Sequence, residues 1–132
     1  MKRGLISVGT NSTRALVAEF DPRPNILLVR SVGTRIGEGL RESGRLRDDA
    51  MRRTLAAIRE STAAVRELTA HLNAIATSAL RRADNADEFA EQARAIMGVS
   101  LDTISGDEEA RCSYEGAVSG LPADGSYAVM DV

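Results

Sequence analysis

The octet SVGTNSTR, residues 7–14, places a glycine and several small polar residues between two short apolar runs. Glycine followed by small polar residues is typical of an ordinary hairpin turn. The same residues also suit an oxyanion such as phosphate. Gly9 has no side chain to hinder approach, so backbone N–H groups and the Thr10, Asn11 and Ser12 side chains would be able to donate to it. The octet by itself leaves both interpretations open.

Outward from this turn, the apolar runs predict a meander of three strands over residues 5–9, 14–20 and 26–32. The second and third strands are separated by residues 21–25, DPRPN, whose two prolines predict a turn. Consecutive strands of this kind pair as neighbouring hairpins.

From residue 48 the apolar spacing changes to threes and fours, which predicts a helix. The rest of the chain alternates between strands and helices: a strand over 73–77, a helix over 85–98, a strand over 99–104, a helix over 105–120 and a last strand-like run over 127–132. The patterns Asn85-x-x-Glu88 and Ser105-x-x-Glu108 predict capped helix starts. The order predicts an α/β fold: a five-stranded mixed sheet with three flanking helices, its later strands added in parallel by right-handed crossovers.

Composition narrows the class of protein. A chain of 132 residues is about one domain by length, and the segment 121–125, LPADG, is the one candidate boundary. The 17 basic and 19 acidic residues give a net charge of −2, which argues against nucleic acid or a membrane surface as partner. The single cysteine, Cys112, and the absence of an apolar leader predict a cytoplasmic protein.

Four motifs occur in a fixed order: VGTNSTRALV at 8–17, TRIGEGL at 34–40, ATSALRRADNADEF at 76–89 and ISGDEEAR at 104–111. Together they resemble the exopolyphosphatase / guanosine pentaphosphate phosphohydrolase (Ppx/GppA phosphatase) family, of the actin-like ATPase superfamily with its ribonuclease-H-like fold. The resemblance implies that residues 9–12 form the first phosphate loop. It also implies that residues 1–124 are a first actin-like domain and that residues 125–132 begin a second domain absent from this chain.

The resemblance implies Mg²⁺ as cofactor of the intact two-domain protein, but two features depart from the family pattern. Ser7 holds the place of the family's aspartate and brings no negative charge to hold the metal. The second, glycine-rich phosphate loop is missing after its first residue, Asp131. The metal ligands are therefore left unknown, with Asp131 as one candidate in the intact protein.

Two adjacent acids are candidates for orienting the attacking water. Glu108 fits the capping box with Ser105, whereas Glu109 lies about 100° further round the helix and cannot serve the same cap. Glu109 aligns with the family's catalytic glutamate, so the resemblance implies that it is the catalytic base; the alternative is a solvated first-turn acid.

Arginine 81 follows the fourth predicted strand, at the strand end where ligands of open α/β sheets bind. The resemblance implies that Arg81 contacts substrate phosphate, and the alternative is a solvated side chain. Arg35 and Glu38 are predicted to form an ion pair within the protein. For Arg14, an edge position and a ligand contact stay equally open.

The leading hypothesis is the first domain of a hydrolase of terminal phosphoanhydride bonds, acting on polyphosphate or guanosine pentaphosphate, with the isolated chain weak or inactive. Its alternative is a non-catalytic regulatory module of the same fold that binds phosphate or polyphosphate. A sugar kinase or other ATPase of this fold is a third reading, but it does not predict SGDEEAR at a helix start. The choice between the two substrates and the formation of a homodimer stay open.

Overall fold

The computed structural model describes residues 1–130. Its elements in chain order are β1 (Lys2–Val8), β2 (Thr13–Asp21), β3 (Arg23–Val32), α1 (Leu40–Ser43), α2 (Asp48–Arg66), β4 (Leu72–Ala76), α3 (Ser78–Arg82), α4 (Ala86–Met97), β5 (Leu101–Thr103) and α5 (Gly106–Val118). No helix within this range combines the length and apolarity needed to cross a membrane.

The five strands form one mixed sheet in the order β3-β2-β1-β4-β5. β1 pairs antiparallel with β2, and β2 with β3, because short links join them. β4 joins β1 in parallel, and β5 joins β4 in parallel, because α2 and α4 supply the long crossovers that parallel pairing requires. The predicted five-stranded mixed sheet is confirmed.

One face of the sheet forms the core against α2 and α4. Alternation along β1 turns Ile6 and Val8 to this face, where both are fully buried with Ile58 of α2. Gly4 is required here because a Cβ at its position would collide with Val65 of α2.

The three predicted helices correspond to α2, α4 and α5, and two short helices, α1 and α3, accompany them. α1 and α3 are four and five residues long, too short for an apolar period to appear in the sequence. The last helix ends at Val118 rather than near residue 120.

The predicted Asn85-x-x-Glu88 cap is wrong. Asn85 precedes α4 without capping it. Its buried side chain instead accepts from the Leu46 N–H at 2.7 Å and donates to the Leu46 carbonyl at 3.0 Å. The amide group therefore satisfies a buried backbone segment, a role that outweighs capping because an unpaired buried group is costly.

Two further differences concern extended segments. The predicted turn over 21–25 shortens to Pro22, and Pro24 pairs with Phe20 inside β3, which is tolerated because β3 is an edge strand. The last strand-like run forms no strand over residues 127–130. Its remaining two residues, and with them the candidate ligand Asp131, lie outside the described residues.

Candidate functional site

Residues 9–12 form a tight loop between β1 and β2, and the carbonyls of Thr10, Asn11 and Ser12 accept hydrogen bonds. The Gly9 N–H donates to the Ser12 carbonyl at 2.9 Å, and the Thr10 and Asn11 carbonyls accept at 3.1 Å from the N–H groups of Gly37 and Arg35. Within residues 1–130 no acceptor engages the N–H groups of Thr10, Asn11 and Ser12. The loop therefore offers these three free N–H donors, while three of its carbonyl acceptors are already bonded. This arrangement suits an oxyanion.

The segment after β3 holds this loop in place. Buried Thr34 shares a 2.9 Å hydroxyl hydrogen bond with Thr13, the residue that follows the loop. Gly37 approaches so closely that a Cβ there would collide with the Thr10 methyl group. The motif TRIGEGL thus braces the 9–12 loop from behind.

A groove of about 740 Å³ lies between the 9–12 loop, the ends of β4 and β5, and the start of α5. Its lining comprises Ser7, Gly9, Thr10, Asn11, Ser12, Arg14, Ile75, Thr77, Ser78, Ile104, Gly106, Glu109, Ala110, Cys112, Ser113, Tyr114 and Val129. Two of these described lining residues carry charge at neutral pH, Arg14 and Glu109.

Glu109 and Arg81 meet at one end of this groove. The Arg81 guanidinium donates to the Glu109 carboxylate at 2.9 Å and to the Ile104 carbonyl at 2.8 Å. Both side chains are about one-third exposed. The structure therefore brings all six predicted site residues together: the 9–12 loop and Glu109 line the groove, and Arg81 reaches it through Glu109.

The neighbouring acid, Glu108, contributes its backbone N–H to the cap of α5. Ser105 Oγ accepts from the Glu108 N–H at 3.1 Å, so the predicted N-cap of α5 is formed. The reciprocal bond of a capping box, from the Glu108 carboxylate to the Ser105 N–H, is not made within residues 1–130. Glu108 is exposed and does not line the groove.

The groove does not suit Mg²⁺ among the described residues. This cation prefers carboxylate oxygens, yet the lining offers one carboxylate, Glu109, whose charge Arg81 already balances. Ser7 contributes a hydroxyl, and it lies directly opposite Arg14 across the β1–β2 ladder. No group of three or more acidic, histidine or cysteine side chains is placed to hold a metal ion in the part of the chain that the structure describes.

Some residues that line the groove are not among the site residues that the sequence predicts. Thr77 and Ser78 follow β4 directly, and their position at a strand end, the same signal that selected Arg81, identifies them. Cys112 is exposed and lines the groove one turn beyond Glu109. Arg14 lines the groove as well.

The predicted ion pair within the protein is formed by Glu38 but not, within residues 1–130, by Arg35. Glu38 pairs with Arg53 and Arg47 of the α2 region. Arg35 has a φ of 49°, so its backbone turns in the left-handed region while its N–H binds the 9–12 loop.

Comparisons with known proteins show which family the chain is similar to. The model of the Ppx/GppA phosphatase family matches residues 16–132. A guanosine-5'-triphosphate,3'-diphosphate pyrophosphatase of Vibrio vulnificus is 30% identical over 129 residues, covering 96% of this chain and 26% of the relative.

Solved structures give the same result. The crystal structure of the Aquifex aeolicus member of the Ppx/GppA family superposes with a TM-score of 0.84 at 31% identity, covering 92% of this chain and 40% of that one. An exopolyphosphatase-like protein superposes with a TM-score of 0.88 at 32% identity, covering 93% and 38%. The chain thus spans about a quarter to two-fifths of the length of these relatives.

Proposed function

Because the chain belongs to the Ppx/GppA phosphatase family, we propose that it is the first domain of a hydrolase of terminal phosphoanhydride bonds. Polyphosphate and guanosine pentaphosphate are the substrate class. The single observation that carries this proposal is that the 9–12 loop, with three uncommitted N–H donors, and the Glu109 carboxylate line the same groove.

The loop would hold the terminal phosphate. Hydrolysis spreads negative charge over the phosphate oxygens in the transition state, and fixed N–H donors stabilise that charge without reorganising. The N–H groups of Thr10, Asn11 and Ser12 are such donors. Their loop is held in place by hydrogen bonds to its carbonyls, so it is organised before phosphate arrives.

Glu109 would orient and deprotonate the attacking water. The water oxygen forms a bond to phosphorus as the bridging P–O bond breaks, Glu109 takes the water proton, and the electron pair of the broken bond leaves with the shortened substrate. Arg81 donates a 2.9 Å hydrogen bond to this carboxylate. The contact supports the prediction that Arg81 lies beside the phosphate.

Mg²⁺ stays a prediction for an intact two-domain protein, where Asp131 and the second domain would have to supply the carboxylates that this groove lacks. A phosphate-binding module without turnover is the second candidate. The specific observation in its favour is Ser7, which leaves the loop end without a carboxylate.

Orthophosphate release tests the proposal, using a two-domain protein built on this chain, with polyphosphate and guanosine pentaphosphate offered separately. Release from either substrate that requires Glu109 supports the hydrolase. Tight binding of both without release would instead support the binding module. The 132-residue chain alone is expected to turn over slowly or not at all, since losing half of a charge-stabilising site costs about 10²-fold or more.

A further inference from the structure

Ser7 and Arg14 face each other beside the 9–12 loop. We propose that Arg14 supplies the positive charge that a divalent cation would otherwise bring. The groove would then bind a phosphate oxyanion without a metal ion. The inference rests on the proposed function, because it presumes that phosphate enters this groove. It adds the residue that neutralises the phosphate charge.

The register of the sheet fixes this pairing. Ser7 of β1 is the direct partner of Arg14 in antiparallel β2, and of Ile75 in parallel β4. Directly opposed residues place their Cβ atoms about 4.5–5.5 Å apart on the same face of a sheet. All three side chains line the groove, on the face opposite to buried Ile6 and Val8.

The charge of Arg14 is uncommitted. Within residues 1–130, no ion pair or side-chain hydrogen bond engages its guanidinium, although the protein pairs many of its other arginines. Arg81, the other cation near the groove, is already balanced by Glu109. Because Arg81 balances Glu109, Arg14 leaves the groove with a net positive charge beside the 9–12 loop.

Serine at position 7 is what keeps this charge available. An aspartate there would form a cross-strand ion pair with Arg14 and consume its charge. A serine hydroxyl leaves Arg14 free and can itself donate to a phosphate oxygen. The guanidinium also presents two parallel N–H groups suited to phosphate, while it repels any divalent cation that approaches the same point.

The test is calorimetric binding of orthophosphate and of tripolyphosphate to the 132-residue chain, in EDTA and in millimolar Mg²⁺. The wild type is expected to bind in EDTA with no gain from Mg²⁺. Arg14→Gln should weaken metal-free binding at least about tenfold, equivalent to about 1.4 kcal/mol, and Arg14→Lys should retain most of it. Arg3→Gln, an equal charge change on β1 away from the groove, should have no effect.

Ser7→Asp should likewise lower metal-free binding at least about tenfold, because the new carboxylate would pair with Arg14 and consume its charge. Wild-type binding that disappears in EDTA, or that is equal in Arg14→Gln, would overturn the role of Arg14 while leaving the groove as a phosphate site. Failure of the folded wild type to bind either anion under both conditions would overturn the phosphate site itself, and the inference with it.

Discussion

The Glu109 carboxylate accepts a 2.9 Å hydrogen bond from the Arg81 guanidinium although 28 residues separate the two in sequence. Arg81 comes from α3, which follows β4, and Glu109 from the first turn of α5, which follows β5. The ion pair therefore joins the ends of two parallel strands at the groove. It also gives Glu109 a charged partner, which its neighbour Glu108 lacks within residues 1–130.

We expect Glu109→Gln, in a two-domain protein built on this chain, to lower orthophosphate release by about 10²-fold or more, the scale of a positioned base. The thermal midpoint should change little, because a partly exposed ion pair contributes about 0–1 kcal/mol. Glu108→Gln is the matched control and should alter neither quantity. Equal losses of activity in the two variants would refute the assignment.

Gly37→Ala should weaken phosphate binding about tenfold, or about 1.4 kcal/mol, with the chain still folded. The added Cβ would collide with the Thr10 methyl group, so the 9–12 loop must shift to accommodate it. Gly33→Ala adds the same methyl group where no atom lies within 4 Å and should be neutral. Calorimetry with tripolyphosphate measures the phosphate affinity of both variants. An unchanged affinity in Gly37→Ala would show that the close approach of Gly37 to Thr10 does not affect phosphate binding.

Asn85→Ala should lower the free energy of unfolding by about 1–3 kcal/mol, because it leaves the buried N–H and carbonyl of Leu46 unpaired. Asn73→Ala, at an exposed strand position, is the control. Asn85→Ser discriminates between the two roles. Serine would preserve a helix cap but cannot replace both bonds to Leu46, so urea unfolding should show a loss close to that of alanine.

Acid should weaken the start of α2 through Asp49. Hydrogen bonds from the Arg47 side chain chiefly lower the pKa of Asp49. Lost hydration is the next-largest effect and opposes this lowering, while the Arg47 charge, the Ala50 N–H and the Arg53 charge add to it. A lowered folded pKa means that the stabilisation is present above the unfolded value, about 3.9, and is lost as pH falls through the folded value.

Urea unfolding of Asp49→Asn should accordingly show a shallower loss of stability below about pH 4 than the wild type, since the variant has no carboxylate to protonate. Asp48→Asn removes the neighbouring acid, which forms no ion pair within residues 1–130, and should follow the wild-type curve. Parallel curves for the wild type and Asp49→Asn would contradict the prediction.

Features encoded over a few residues could be predicted from sequence, whereas features that join distant segments could not. The Ser105 cap lies three residues from its partner, and the period of α2 repeats within one helix. The sequence predicts Asn85 as a helix cap, which is wrong, because the true partner of its side chain, Leu46, lies 39 residues away. The sequence likewise does not identify Arg53 as the partner of Glu38, because 15 residues separate the two.

The candidate site shows the same division. The 9–12 loop, Arg81 and Glu109 were selected by local motif and resemblance, and the structure places them together. Their mutual contact, and the position of Arg14 opposite Ser7, follow from strand register and order, which the hydrophobic pattern does not fix. The hydrogen bonds to the loop carbonyls likewise come from a distant segment, through the N–H groups of Arg35 and Gly37.

Helix α5 buries none of its residues within the described structure. Amide protons of such an element exchange with solvent through local opening, at a free-energy cost far below that of unfolding the core. The loop that would hold phosphate is held by hydrogen bonds from Arg35 and Gly37, whereas the carboxylate proposed to act on it is carried by a helix with no buried residue. Phosphate affinity and turnover rate would therefore be adjustable separately. A partner surface that covers α5 would increase the fraction of time in which Glu109 is in place and so raise the turnover rate. The affinity for phosphate, which depends on the loop, would not change.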